Sequence, residues 1–306
     1  MDTVPDQKVR GYFLALSAAL LWGVSGTCAQ YLFQEKGIQP EWLVTVRMLI
    51  AGVILVLLGY IKKGKSILDI WKNAGDARGL LLFGLTGMLS VQYTYFAAIK
   101  HSNAATATVL QYTGPVLIAL YVAFKKWQLP TLQEIAALIL AVLGTFLLVT
   151  HGNFQQLMIS EKALFWGVLS AFALSIYTLQ PISLLNKYDA ASTIGWAMLI
   201  GGGCFSFIHA PWQLEGKLDT AAWLNIGFII FFGTLIAFYA FLVSVKIIGG
   251  VHASLLACAE PLSAAFIALI WLNVQFGMMD WLGSLFIILT IFILAYNESK
   301  VNKTGL

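Results

Sequence analysis

Charge is scarce in this chain of 306 residues. Only 10% of them are Asp, Glu, Lys or Arg, whereas 59% are hydrophobic; soluble domains carry roughly a quarter charged residues. That shortage excludes an ordinary soluble domain. Cysteine is nearly absent as well. Cys28, Cys204 and Cys258 lie within apolar stretches without metal-ligand spacing, and read as small packing residues. His101, His151, His209 and His252 are scattered along the chain. No G-x-S-x-G, no H-E-x-x-H and no phosphate-cradling glycine loop occurs, so the usual signatures of nucleophilic, metal-assisted and nucleotide chemistry are missing. The sequence therefore offers no catalytic residue, no metal ligand and no cofactor site.

Long apolar runs dominate instead. A run of about 20 apolar residues crosses the hydrocarbon layer as a helix, and 11–33, 79–99, 163–186 and 221–245 hold no ionised side chain. The remaining charges divide the chain into spans at roughly 11–33, 41–61, 79–99, 104–124, 131–150, 163–184, 190–210, 222–245, 251–272 and 280–297. The expected class is an all-α integral membrane protein with ten transmembrane helices and the lipid bilayer as its main partner. Lys36, Lys100, Lys162 and Lys217 fall on one side, with Arg47 inside a span. Every other Lys and Arg falls on the opposite side, including Lys62, Lys63, Lys65, Lys72 and Arg78 of the longest connection. The positive-inside rule then places both termini in the cytoplasm of a cell-membrane protein. The net charge of +4 is thus topological, and nucleic acid is not an expected partner. The first run is longer than a signal-peptide h-region and no A-x-A site follows it, so it is expected to remain as a helix. Gly201, Gly202 and Gly203, and likewise Ala137, Ala141 and Gly144, read as places where helices approach closely.

The second half resembles the first. A shift of 146 residues lays Gly87 on Gly233, Tyr93 on Tyr239, Lys100 on Lys246 and Pro115 on Pro261. With five spans per half, an odd number, the second half enters the membrane from the other side. Two inverted five-helix repeats, 11–150 and 163–297, are therefore expected, an architecture that suits alternating access around a midplane site. The two halves together supply both repeats, so a monomer would suffice.

Ionisable groups inside spans are costly and become functional candidates. Glu260 sits about nine residues into its span. Arg47 is roughly 9 Å deep at 1.5 Å per residue, and could face a solute, snorkel or cap a helix end. Thr108, Gln111, Tyr112 and Pro115 follow i, i+3, i+4, i+7 spacing and share one helix face. Pro115 and Pro261 each remove a backbone hydrogen bond and predict kinks whose freed carbonyls meet a cavity or a polar neighbour. Gln92, with Tyr95 one turn on, gives the third span a similar face. Trp22, near the midplane, and Tyr239 complete the set, with simple packing as the alternative for both. Interhelical hydrogen bonding is the alternative for each Gln, and a carboxyl that locks the bundle is the alternative for Glu260.

Several motifs resemble the EamA-type, ten-helix members of the drug/metabolite transporter superfamily. ALLWG (19–23) is similar to that family's first-helix signature, RMLIAG (47–52) to its second-helix pattern and YFAAIKHSNAATATVLQYTGPVLIAL (95–120) to its third-to-fourth-helix stretch, and Glu260-Pro261 resembles its ninth-helix E-P pair. The chain departs from the pattern at Gln128 and Val274, where family members often carry Glu. The resemblance implies a permease, most simply an exporter, for small metabolites such as amino acids or related amphipathic and cationic compounds. A wall of Trp, Tyr and Gln with one acid suits small amphipathic, neutral or cationic solutes. Two other classes stay open: a non-transporting membrane scaffold or receptor, and an intramembrane enzyme, for which no nucleophile–base pair is evident.

Overall fold

The computed structural model describes residues 4–126, 130–153, 160–263, 277–279, 281–290 and 293. All regular structure among them is helical. In order come α1 (Val4–Gln34), α2 (Pro40–Lys63), α3 (Asp69–Lys72) and α4 (Ala74–Leu82), which runs through a π-helical stretch (Phe83–Leu89) into α5 (Ser90–His101). Next are α6 (Ala104–Gln111), α7 (Gly114–Lys126), α8 (Leu132–Thr150), α9 (Glu161–Leu179), α10 (Ile182–Lys187) and α11 (Ala190–Phe205). Then α12 (Thr220–Ile230) runs through a second π-helical stretch (Phe231–Ile236) into α13 (Ala237–Ile248), followed by α14 (Gly250–Ala257) and α15 (Trp281–Thr290). Six continuous helices among the described residues are long and apolar enough to cross a bilayer, and shorter apolar helices cover 132–147, 190–205 and 281–290. The expected spans 251–272 and 280–297 are only partly described, and Gln128 and Val274 lie outside the described residues.

A helix ends shortly before each of Pro115 and Pro261. A proline ring clashes with the carbonyl four residues earlier and cannot donate to it. Accordingly α6 ends at Gln111, four residues before Pro115, and α14 ends at Ala257, four residues before Pro261. A new helical segment begins just before each proline, which sits in a first turn where its missing N–H costs nothing. The two π-helical stretches are stitched alike: Ser90 Oγ donates to Leu85 O (2.9 Å) and Thr234 Oγ1 to Ile229 O (2.7 Å), each five residues back.

Packing follows the small residues. Helix α2 lies along α11, α1 along α13 and α5 along α9, while α14 rests on α1 and both α6 and α7 rest on α9. At the α2–α11 seam the backbones touch. A Cβ added to Gly195 would stand 2.9 Å from Val56 N, and one on Gly52 would stand 3.0 Å from Leu199 N. With no hydrophobic force between helices in lipid, such close contact supplies the association energy. Helices α8 and α15 meet similarly: a Cβ on Gly144 would be 2.8 Å from Gly283 O, beside the buried Ala137 and Ala141. Of the three consecutive glycines, Gly201 and Gly202 pack on Met48 and Leu49 of α2, but Gly203 faces open space.

The two ends of the bundle are tied separately. At the N-terminal end of α2, Lys100 donates to Gln39, Trp42 Nε1 donates to Pro211 O (2.9 Å), and Lys36 pairs with Asp219 (2.6 Å). At its C-terminal end, about 36 Å away by helix rise, Asp76 accepts from Lys187 and Tyr188 (both 2.8 Å), and Lys246 shares a hollow with Lys63. Lys100 and Lys246 therefore lie at opposite ends of α2.

Asp219 does two jobs, accepting from Ala222 N (2.8 Å) to cap α12 and from Lys36. Those two donors hold its carboxyl below the usual range, the Lys36 amine contributing most. An acid depressed on folding stabilises above its unfolded pKa of about 3.9 and loses that contribution as pH falls through the folded value. Asp219→Ala should lower the thermal midpoint modestly at pH 7, and the difference from wild type should shrink below about pH 4. Midpoints measured in detergent across that range check this.

Candidate functional site

A narrow cavity lies where α1, α2, α5, α9 and α13 meet the α6 and α14 breaks. Trp22, Arg47, Gln92, Gln111, Tyr112 and Glu260 all line it, with Tyr95, Phe96, Tyr177, Phe238 and Phe241. Its volume is about 40 Å³. One water needs roughly 10–15 Å³ on that measure, so a solute enters only if helices part.

Glu260 is held on both oxygens. Tyr95 Oη donates to Oε1 at 2.9 Å, and Tyr112 Oη lies 2.8 Å from Oε2. The Tyr112 hydroxyl also reaches Ala257 O at 2.5 Å. Ala257 O is the carbonyl that Pro261 leaves without its helical partner, so a side chain from α6's end caps the break in α14. Thr108 stands one layer behind the cavity wall. Its Oγ1 donates to Ala104 O (2.7 Å) and meets Tyr95 Oη (2.8 Å). Proton counting is informative here. A hydroxyl carries one proton, so Tyr112 cannot donate to both Ala257 O and Glu260. All of these contacts but one are made with a protonated carboxyl donating to Tyr112; an ionised one leaves two oxygen pairs without a proton.

Arg47 is 3% exposed, its guanidinium 3.9 Å from the Phe96 ring centre and 5.9 Å from that of Phe238. It has no acidic partner among the described residues, and its Nε meets no acceptor. A desolvated cation–π contact contributes about 2 kcal/mol, whereas burying an ion costs several. Aromatic stacking alone leaves that burial under-compensated. Gln92, 1% exposed, is similar: neither amide atom has a partner among the described residues. Trp22 packs edge-on to Phe238 (5.2 Å) and against Phe241 (5.1 Å), with its Nε1 unpartnered. Tyr177 stacks on Phe241 (5.7 Å), and its hydroxyl is unpartnered too.

Two residues chosen from the sequence stand elsewhere. Tyr239 lines the hollow of about 560 Å³ at the C-terminal end of α2, with Lys63, Lys187, Val243 and Lys246. On α13 the cavity face carries Phe238 and Phe241; Tyr239, one residue on from Phe238, is rotated about 100° away. Thr108 supports Tyr95 rather than facing the space. Tyr95, Tyr177, Phe238 and Phe241 were not among the residues singled out as binding. Tyr177 was open to the argument used for Trp22, an aromatic amid an uncharged span far from either interface.

Comparison with known proteins agrees with this architecture. The model of the EamA-like transporter family matches residues 9–150 and again residues 161–296. The chain is similar to the uncharacterized inner membrane transporter YicL of Salmonella typhimurium, 38% identical over 95% of this chain and 97% of that one. It is also similar to the uncharacterized transporter YwfM of Bacillus subtilis, 24% identical over 93% of each chain. A solved crystal structure superposes with a TM-score of 0.78, covering 95% of this chain and 98% of its own at 15% identity, a likeness of fold. With a family model matched twice over nearly the whole length and a close full-length relative, the chain belongs to the EamA-like transporter family.

Proposed function

We propose that this membrane transporter carries small amphipathic metabolites across the cell membrane by alternating access of two inverted five-helix halves, 11–150 and 163–297. Both termini face the cytoplasm, and one chain contains the whole device. Export is the direction that the family resemblance implies. The observation that carries the reading is how the helices exchange. Shifting α1 to α9 and α5 to α13 turns the α1–α13 contact into the α9–α5 contact, and the α14–α1 contact into the α6–α9 contact. The α2–α11 pair maps onto itself. A twofold axis through that seam supports such an exchange, and Lys100 and Lys246 at opposite ends support its lying in the membrane plane.

The matched tyrosines differ in a way that fits one stage of such a cycle. Tyr93 is sealed at its end: its hydroxyl donates to Glu41 Oε1 (3.0 Å) and its ring packs on Trp166 (5.2 Å) and Phe205 (4.8 Å). Tyr239 lines the open hollow at the other end. Glu41→Ala removes the tie on Tyr93 and should favour the opposite stage. In purified protein in detergent, with the native cysteines replaced, Val243→Cys should react with a water-soluble maleimide and Trp166→Cys should not. Adding Glu41→Ala should raise labelling at 166 and lower it at 243. Loss of protection at 166 with no change at 243 would mean local fraying, and alternating access would be abandoned.

A further inference from the structure

We infer that the solute carries a carboxylate, seated on Arg47 and Gln92, with an apolar or aromatic body against the rings of Trp22, Phe238 and Phe241. The inference rests on the cavity being the transport site and adds the charge of its occupant. Sequence composition favoured neutral or cationic solutes because Glu260 was the acid expected in the site. The geometry reverses that preference. Both oxygens of Glu260 are engaged by Tyr95 and Tyr112, and among the described residues this carboxyl is not the counter-ion of Arg47. Arg47 is a buried charge with no acidic partner among the described residues, and it lines the same cavity. Beside it, Gln92 holds two unpartnered amide atoms and Trp22 an unpartnered indole N–H. A guanidinium, an amide NH₂ and an indole N–H are donors that converge on one space. That set matches a planar carboxylate, which accepts a bidentate pair from Arg and has lone pairs left for further donors.

A congeneric series separates charge from shape. Purified wild type in detergent would be titrated at pH 7 and constant ionic strength with 3-phenylpropanoate, 3-phenylpropanamide and phenethylamine, read by thermal midpoint and by quenching of tryptophan fluorescence. The acid should bind roughly tenfold or more tightly than its amide, as expected when a charge-assisted bond is exchanged for a neutral one, and the amine should bind more weakly than either. Arg47→Gln should erase the preference for acid over amide, and Arg47→Lys should retain part of it. Equal binding of acid and amide, preference for the amine, or no binding of the acid overturns the inference. So does a preference that survives in Arg47→Gln. Should Arg47→Gln not fold, the wild-type series decides alone. Reciprocal labelling at 166 and 243 depends on none of these ligands, so failure of the transport reading is distinguishable from failure here.

Discussion

Gly201→Leu should sharply lower the yield and thermal midpoint of the folded protein, while Gly203→Leu two residues away should be nearly silent. The two glycines share one helix and one stretch of sequence, so composition and helix propensity cannot separate them. Their surroundings can. A Cβ on Gly201 would stand 2.5 Å from Met48 Cε and 2.8 Å from Gly84 O, and a backbone oxygen has nowhere to retreat. A Cβ on Gly203 meets nothing within 4 Å. Overpacking typically costs 1–3 kcal/mol and occasionally more; a leucine forced into backbone contact belongs at the upper end, about 3 kcal/mol. The loss is concentrated because α11 associates with α2 and with the π-helical stretch Phe83–Leu89 through close packing itself. Size-exclusion yield and thermal midpoint of both variants check this. Comparable damage from both would mean that the close contacts of α11 with α2 and the stretch Phe83–Leu89 do not hold the bundle together.

How much of this could be read in advance follows from the physics of each residue. Hydrocarbon admits ionised groups so reluctantly that charge-free runs reveal the spans, and Glu260 and Arg47 declare themselves by sitting in such runs. Pro115 and Pro261 act through their own backbone, so the helix ends at Gln111 and Ala257 follow from chain geometry alone. The aromatic wall was not legible in the same way. The chain has 20 Phe, and nothing local separates Phe238 and Phe241 from those that face lipid; only the packing of α13 on α1 does. Tyr239 lines the hollow and not the cavity for a related reason. Its match to Tyr93 gives its position in the half, and a repeat register does not say which end of the bundle is open. Thr108 shares a helix face with Gln111 and Tyr112, as the spacing implies. Its hydroxyl is spent on Ala104 O and Tyr95, a partner that only folding supplies.

Glu260→Gln should leave the protein folded and hold transport at one level across the pH range in which the wild type varies. The argument is the proton count around Tyr112. With Tyr112 donating to Ala257 O at 2.5 Å, its oxygen must accept, and the group on the far side must donate. A protonated carboxyl does so through Oε2, while Oε1 still accepts from Tyr95 at 2.9 Å. A glutamine reproduces both contacts, its NH₂ donating to Tyr112 and its oxygen accepting from Tyr95. The variant therefore mimics the neutral carboxyl permanently. When wild-type Glu260 loses its proton, Tyr112 must turn its own proton towards the carboxylate. Ala257 O is then left bare at the break before Pro261, and an unpaired buried carbonyl costs about 1–3 kcal/mol. That reorganisation couples the proton to the two helix breaks that border the cavity. The variant should behave at every pH as the wild type does at the acidic end of its profile, and Glu260→Leu, which can neither donate nor accept, should destabilise the bundle. Uptake into proteoliposomes between pH 5 and 9, with thermal midpoints alongside, tests both. A Glu260→Gln protein whose profile tracks the wild type would leave Glu260 as a strut between α14's continuation and α5, with no part in proton coupling.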